Sequence, residues 1–171
     1  MNARTEPKNE RDSQSRETIE SVLAKHPFLA EVKPEYLRVL SQNAMRVRFN
    51  AQETIFREGD PANRFYLIES GKVSLGAHQK DQSGVPIQTI AAGDVLGWSW
   101  LFPPYYWQFD ARALEPTTAI FFYGTRLREQ CEQDHQLGYE LLNRMAAVII
   151  GRLQATRKQL LARRATAAED I

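Results

Sequence analysis

The residues of this chain that could do chemistry are concentrated in one stretch, Gly97-Trp98-Ser99-Trp100-Leu101-Phe102-Pro103-Pro104-Tyr105-Tyr106-Trp107-Gln108-Phe109-Asp110-Ala111-Arg112-Ala113. All three tryptophans lie in it, and from Gly97 to Phe109 seven of thirteen residues are aromatic. Between Gly97 and Ala111 there is no Lys or Arg, and the one charged side chain is that of Asp110. Rings at this density stack on planar or apolar groups and, with a carboxylate beside them, on cations. Exposed to water they would invite association. The stretch therefore lines a pocket, plugs one, or meets a partner.

Other chemistries lack their residues. The histidines His26, His78 and His135 stand singly, so no cluster of metal-ligand type is expected. Cys131 is the only cysteine, has no histidine near it in sequence, and reads as a structural thiol. No Gly-rich phosphate loop, nucleophile elbow or paired-histidine motif occurs. The expectation is a protein that is not an enzyme and carries no metal or cofactor.

The elements that must position the aromatic stretch follow from periodicity. Residues 1–16 are almost all polar or charged and read as a disordered tail. Ile19, Val22 and Leu23 fall at helical spacing until His26-Pro27 breaks it, and a second short helix starts at Pro34, carrying Tyr36, Leu37 and Leu40 inward. From Met45 the period drops to two. Val47 and Phe49, Ile55, Phe65 and Leu67, and Val73 and Leu75 mark short strands. A final strand is expected from Ala113 to Tyr123. The breaks, at Glu58-Gly59-Asp60-Pro61, Ser70-Gly71-Lys72, Ser83-Gly84 and Ala92-Gly93-Asp94, are turn chemistry of the kind an antiparallel sandwich or jelly roll needs. Helical period returns in a short helix from Arg126 to Cys131 and a long one from about Gly138.

Residues 17–136 thus read as a β-roll domain with a helical preface, and 137–171 as a long C-terminal helix. On that helix Leu142, Met145, Ile149, Leu153, Thr156 and Leu160 step by three or four. The stripe either packs on the sheet or forms a dimer seam. A helix projecting past a compact β domain must cover its apolar stripe, which favours the homodimer. A net charge of +1 supplies no field for nucleic acid or an anionic membrane. The absence of a long apolar run or signal segment, with a lone cysteine, makes a cytoplasmic protein the expectation.

These motifs resemble a known family. The run Phe56-Arg57-Glu58-Gly59-Asp60-Pro61-Ala62-Asn63-Arg64-Phe65-Tyr66-Leu67-Ile68-Glu69-Ser70-Gly71-Lys72-Val73 is similar to the signature of cyclic nucleotide-binding domains, as found in catabolite activator-type regulators, protein kinase A regulatory subunits and gated channels. The likeness continues at Ala92-Gly93-Asp94-Val95-Leu96-Gly97 and Arg112-Ala113-Leu114-Glu115. It implies a β jelly roll flanked by helices, with a ligand pocket inside the roll. In the family's phosphate cassette a glutamate after the glycine takes the ribose hydroxyl, and an arginine about ten residues on grips the cyclic phosphate. Counted without a gap from Gly97, the glutamate position is Trp98, the arginine position Trp107 and the next Gln108. By position in the cassette, the ligand-contacting candidates are Gly97, Trp98, Ser99, Trp100, Trp107, Gln108 and Asp110.

Neither side chain that grips the nucleotide is present. A cyclic phosphate brought out of water needs donors, and the arginine fork is the usual one. Here backbone N–H groups after Gly97 and the Ser99 hydroxyl remain, and Asp110 would repel the anion. The expectation is a regulatory, ligand-sensing module that does not bind cyclic AMP or cyclic GMP in the usual way. Its pocket is either filled by its own rings or kept for an unidentified apolar or cationic small molecule. By family analogy, filling the roll moves the loop from Gly97 to Trp107 against the last helix. The alternative is a ligand-free interaction module whose aromatic loop or basic last helix binds a protein. About ten residues after Leu161 leave no room for a recognition helix, so sequence-specific DNA binding is not expected of the chain as given.

Overall fold

The computed structural model describes residues 17–77 and 86–169, apart from the side chains of 163 and 165–169. The tail expected over 1–16, His78 and the Ser83-Gly84 turn lie outside the described residues. Two short helices open the fold, α1 (Ile19–Lys25) and α2 (Pro34–Gln42), with a single 3-10 turn (Pro27–Leu29) between them. The Thr18 hydroxyl caps α1 by accepting from Ser21 N, and Pro34 occupies the first turn of α2, where its missing N–H leaves no bond unmade.

Eight strands follow: β1 (Ala44–Phe49), β2 (Thr54–Phe56), β3 (Arg64–Ser70), β4 (Lys72–Gly76), β5 (Pro86–Ala91), β6 (Val95–Leu96), β7 (Asp110–Ala113) and β8 (Thr117–Tyr123). They form two antiparallel four-stranded sheets, ordered β1-β8-β3-β6 and β2-β7-β4-β5. This is the jelly roll expected from the spacing of turn signals. The chain ends in α3 (Gly124–Gln133) and α4 (His135–Glu169), each starting a few residues before its expected position.

The strand expected from Ala113 to Tyr123 begins only at Thr117, and Ala113 ends a separate strand, β7. The run from Ala113 to Tyr123 breaks at Leu114-Glu115-Pro116, so that β7 pairs with β2 and β4 in one sheet while β8 pairs with β1 and β3 in the other. Gly71 explains the tightness of this corner. Its φ is +91°, and a Cβ there would stand 2.7 Å from the Pro116 carbonyl oxygen and collide with the Thr117 hydroxyl.

The two central strands are buried on both faces, which is why they read as nearly continuous apolar runs. Phe65, Leu67, Ile120 and Phe122 face a helical layer, where they pack with Leu23, Leu40, Leu127, Leu137, Leu141 and Met145. Tyr66, Ile68, Ala119 and Phe121 alternate with them and face the inside of the roll, against Phe56, Val73, Ile90, Leu96 and Trp107.

The long helix does not carry its apolar stripe as a single seam. Met145, expected in that seam, is fully buried against its own domain. Ile149 is partly covered by the same core. Leu142, Leu153, Thr156 and Leu160 are exposed, and from Leu153 to Ala162 every described side chain is exposed. α4 therefore has two faces: one built from Leu137, Leu141 and Met145 that anchors it, and one that the chain leaves uncovered.

Candidate functional site

The aromatic stretch divides into two halves with different fates. Gly97 adopts φ +89° and leads into a 3-10 helix, Trp98–Leu101, which turns the chain off β6 toward the helical layer. Trp100 is fully buried, stacked on Phe65 with centroids 4.9 Å apart and planes at 14°. Its indole N–H is buried without a partner among the described residues. The Trp100 carbonyl accepts from the Arg128 guanidinium, which also lies over the Tyr105 ring at 4.3 Å. This half of the loop is core, pinned to α3.

The second half returns along the turn at Gly59. Trp107 N donates to the Asp60 carbonyl (2.9 Å), Gly59 N donates to the Trp107 carbonyl (2.9 Å), and Ala62 N donates to the Tyr105 carbonyl (2.7 Å). With its backbone held from both sides, Trp107 sends its ring into the roll. The ring stacks on Phe56 with a centroid separation of 3.9 Å and an angle of 11°. It also presses on Gly97, where a Cβ would come within 2.7 Å of the indole. Trp107 is 5% exposed. The glycine that the family resemblance reads as the start of a phosphate cassette is here the seat of an indole ring.

What remains of the roll's cavity is about 10 Å³, at the threshold for a single water. Gly97, Trp98, Ser99, Trp107 and Gln108 line it, together with Phe56, Leu75 and Phe109. Five of the seven sequence-derived candidates are thus brought together. Trp100 is not among the lining residues, because its ring faces the helical layer. Asp110 is not among them either: its Oδ1 accepts from Glu58 N at 2.7 Å, so the carboxylate serves the turn that holds Trp107. The Gln108 amide donates to the Tyr106 carbonyl at 3.1 Å.

The single charged side chain at this cavity comes from elsewhere. Arg152, on α4, borders it and donates through Nη2 to the carbonyl of Val95 on the edge strand β6. No carboxylate lies within ion-pair distance of its guanidinium among the described residues. Burial pulls it below its ordinary value, partly offset by the field of Asp94. In the sequence Arg152 is one of several arginines on the last helix, where a charge is ordinarily solvated. The available signal was phase, since Arg152 continues the step Leu141, Met145, Val148 that faces the roll.

The electrostatics follow from these placements. The lining offers rings, one amide, one hydroxyl and an arginine already bonded to backbone. No group of three or more His, Cys, Asp or Glu capable of holding a metal occurs among the described residues. No helix among them is long and apolar enough to cross a membrane.

Residues 46–134 match the family model of the cyclic nucleotide-binding domain. The CRP-like cAMP-activated global transcriptional regulator of Mycobacterium tuberculosis is 25% identical over 142 residues, 83% of this chain and 62% of that protein. The cAMP-dependent protein kinase regulatory subunit of Aspergillus fumigatus is 33% identical over 84 residues, 49% of this chain and 20% of that one. The chain thus spans less than two thirds of the curated relatives it matches. A crystal structure of a Geobacter metallireducens protein assigned to cyclic nucleotide binding superposes with a TM-score of 0.71 at 29% identity, covering 80% of this chain and 98% of that one.

Proposed function

The chain belongs to the cyclic nucleotide-binding domain family, and from that premise we propose that it is a non-enzymatic regulatory module whose roll is closed to cyclic AMP and cyclic GMP. The observation that carries this reading is the Trp107 ring, stacked on Phe56 at 3.9 Å and seated on Gly97. It takes the place of an arginine and fills the space that a phosphate would need. An anion entering there would have to displace a buried ring, and the one cationic side chain at the cavity, Arg152, is held to the Val95 carbonyl.

The regulated element in this reading is α4, which leaves the roll after Arg152 with Leu153 and Leu160 exposed. A second copy covers that face, so the module acts as a homodimer through Leu142, Ile149, Leu153, Thr156 and Leu160. A second reading, a ligand-free scaffold that docks a protein, is favoured by the same small cavity and by Tyr106, 47% exposed beside the closed site.

A thermal-shift titration with cyclic AMP and cyclic GMP tests the proposal. A ligand at a hundred times its dissociation constant raises folded-state stability by about 2.7 kcal/mol. No saturable shift is expected from either nucleotide. A saturable shift would mean that Trp107 swings out and that backbone donors replace the arginine, which ends the closed-roll reading.

A further inference from the structure

A cavity far larger than the one left in the roll lies outside it. It is an open groove of about 430 Å³ between α4 and the edge strands β5 and β6, within the size range of small-molecule sites. Pro27, Phe28, Ile90 and Val148 supply apolar walls, and Asp94 and Arg152 supply opposite charges. Arg152 borders both this groove and the closed roll.

We propose that this groove is a binding site for a small organic carboxylate with an apolar body, held by the Arg152 guanidinium. The argument rests on what each group still lacks. Arg152 makes one hydrogen bond, to the Val95 carbonyl, and has no ion-pair partner among the described residues. A guanidinium has five N–H donors in a fork that matches a carboxylate. Its charge is partly desolvated, the circumstance in which an anion gains most from pairing with it. Asp94 narrows the class. One of its oxygens, Oδ2, accepts from Ala91 N at 2.9 Å, so the carboxylate is fixed on the wall of the groove. A doubly charged phosphate would meet that carboxylate, whereas a monoanion pays less repulsion, and the walls reward a hydrocarbon or ring.

The site goes beyond the closed roll and does not depend on it. It lies on the flank of α4 opposite the exposed Leu142 and Leu153, by helical phase, so dimerisation through those residues leaves it open. An occupant bridges α4 to β6, which gives this module a way to sense a molecule without opening its roll.

The test is an amide-resolved NMR titration of the isotope-labelled full chain with 4-phenylbutyrate, with 4-phenylbutanol and inorganic phosphate as controls. Saturable shifts are expected at the Gly93 and Gly151 amides, with binding at least tenfold weaker for the alcohol and for phosphate. Arg152→Gln should weaken the carboxylate at least tenfold. Because that change also removes the bond to Val95, a second variant keeps the arginine: Gly151→Leu adds a side chain where a Cβ meets nothing within 4 Å, and should block the groove. Absence of saturable shifts with the carboxylate overturns the proposal. So do shifts centred on Gly97 and Ser99, equal affinity for the alcohol, or full binding to Gly151→Leu. The roll reading is tested separately, with cyclic nucleotides, and of these outcomes only shifts at Gly97 and Ser99 would bear on it.

Discussion

Replacing Trp107 by alanine separates a plug from a passive loop residue. The indole is 5% exposed, stacked on Phe56 at 3.9 Å and in contact with Gly97. Its loss leaves a void in a roll whose remaining cavity is about 10 Å³. Large-to-small changes of this kind cost about 3–5 kcal/mol, from lost transfer free energy and from the cavity left behind. Urea unfolding of both proteins gives the difference directly, provided the slopes agree. The void should be apolar, with the shape of the ring removed, and should accept indole as an apolar engineered cavity accepts benzene. Indole at a hundred times its dissociation constant should then restore about 2.7 kcal/mol to the variant and nothing to the parent. Cyclic AMP should not rescue the alanine variant, since the added space is apolar and Arg152 stays bonded to the Val95 carbonyl. The double change Trp98→Glu with Trp107→Arg supplies both missing side chains and should create cyclic AMP binding. A loss below about 1 kcal/mol without indole rescue would refute the argument that this ring fills the roll.

Three further outcomes are expected. Leu153→Glu with Leu160→Glu places charges on the uncovered face of α4 and should yield monomers in sedimentation at concentrations where the parent sediments as a dimer; a monomeric parent would remove the dimer from the proposal. His26 is buried, its Nδ1 accepts from Phe28 N, and burial holds its pKa below the ordinary 6.5. The unfolded chain then binds the extra proton first, so stability should fall as pH drops from 6.5 toward the folded-state value and level off below it, and His26→Gln should flatten that slope in pH-dependent unfolding. Burial also raises the Cys131 thiol to about 11, so alkylation at pH 8 should run about two orders of magnitude slower than that of a free thiol. Reaction at the free-thiol rate would show that α3 opens readily in solution.

Much of the fold is legible in the order of the residues because its signals are local. The alternation in β3 and β8, the glycines at positive φ and the proline opening α2 each report conformation within a few residues. The break between β7 and β8 had one local signal, Pro116, which cannot donate to a ladder; what it did not show is that the corner closes on Gly71, in the bend between β3 and β4. The candidate site was legible in composition but not in direction. Trp98, Trp100 and Trp107 are equivalent as letters, yet one borders the remaining cavity, one is core against Phe65, and one fills the roll.

The sequence by itself determined that a jelly roll would form and that the aromatic stretch between Gly97 and Ala111 would carry no Lys or Arg. Both follow from residue type at fixed spacing. Tertiary structure alone decided that Trp107 closes the roll, because this requires the turn at Gly59 to hold its backbone while Gly97 leaves room for its ring. It alone separated Met145, which anchors α4, from Leu153, which the chain leaves bare, since both belong to one stripe in the sequence but only Met145 meets the core of the domain. And it alone carried Arg152 to Val95, across 57 residues of chain, where a charge that looks solvated in sequence is drawn partly out of water.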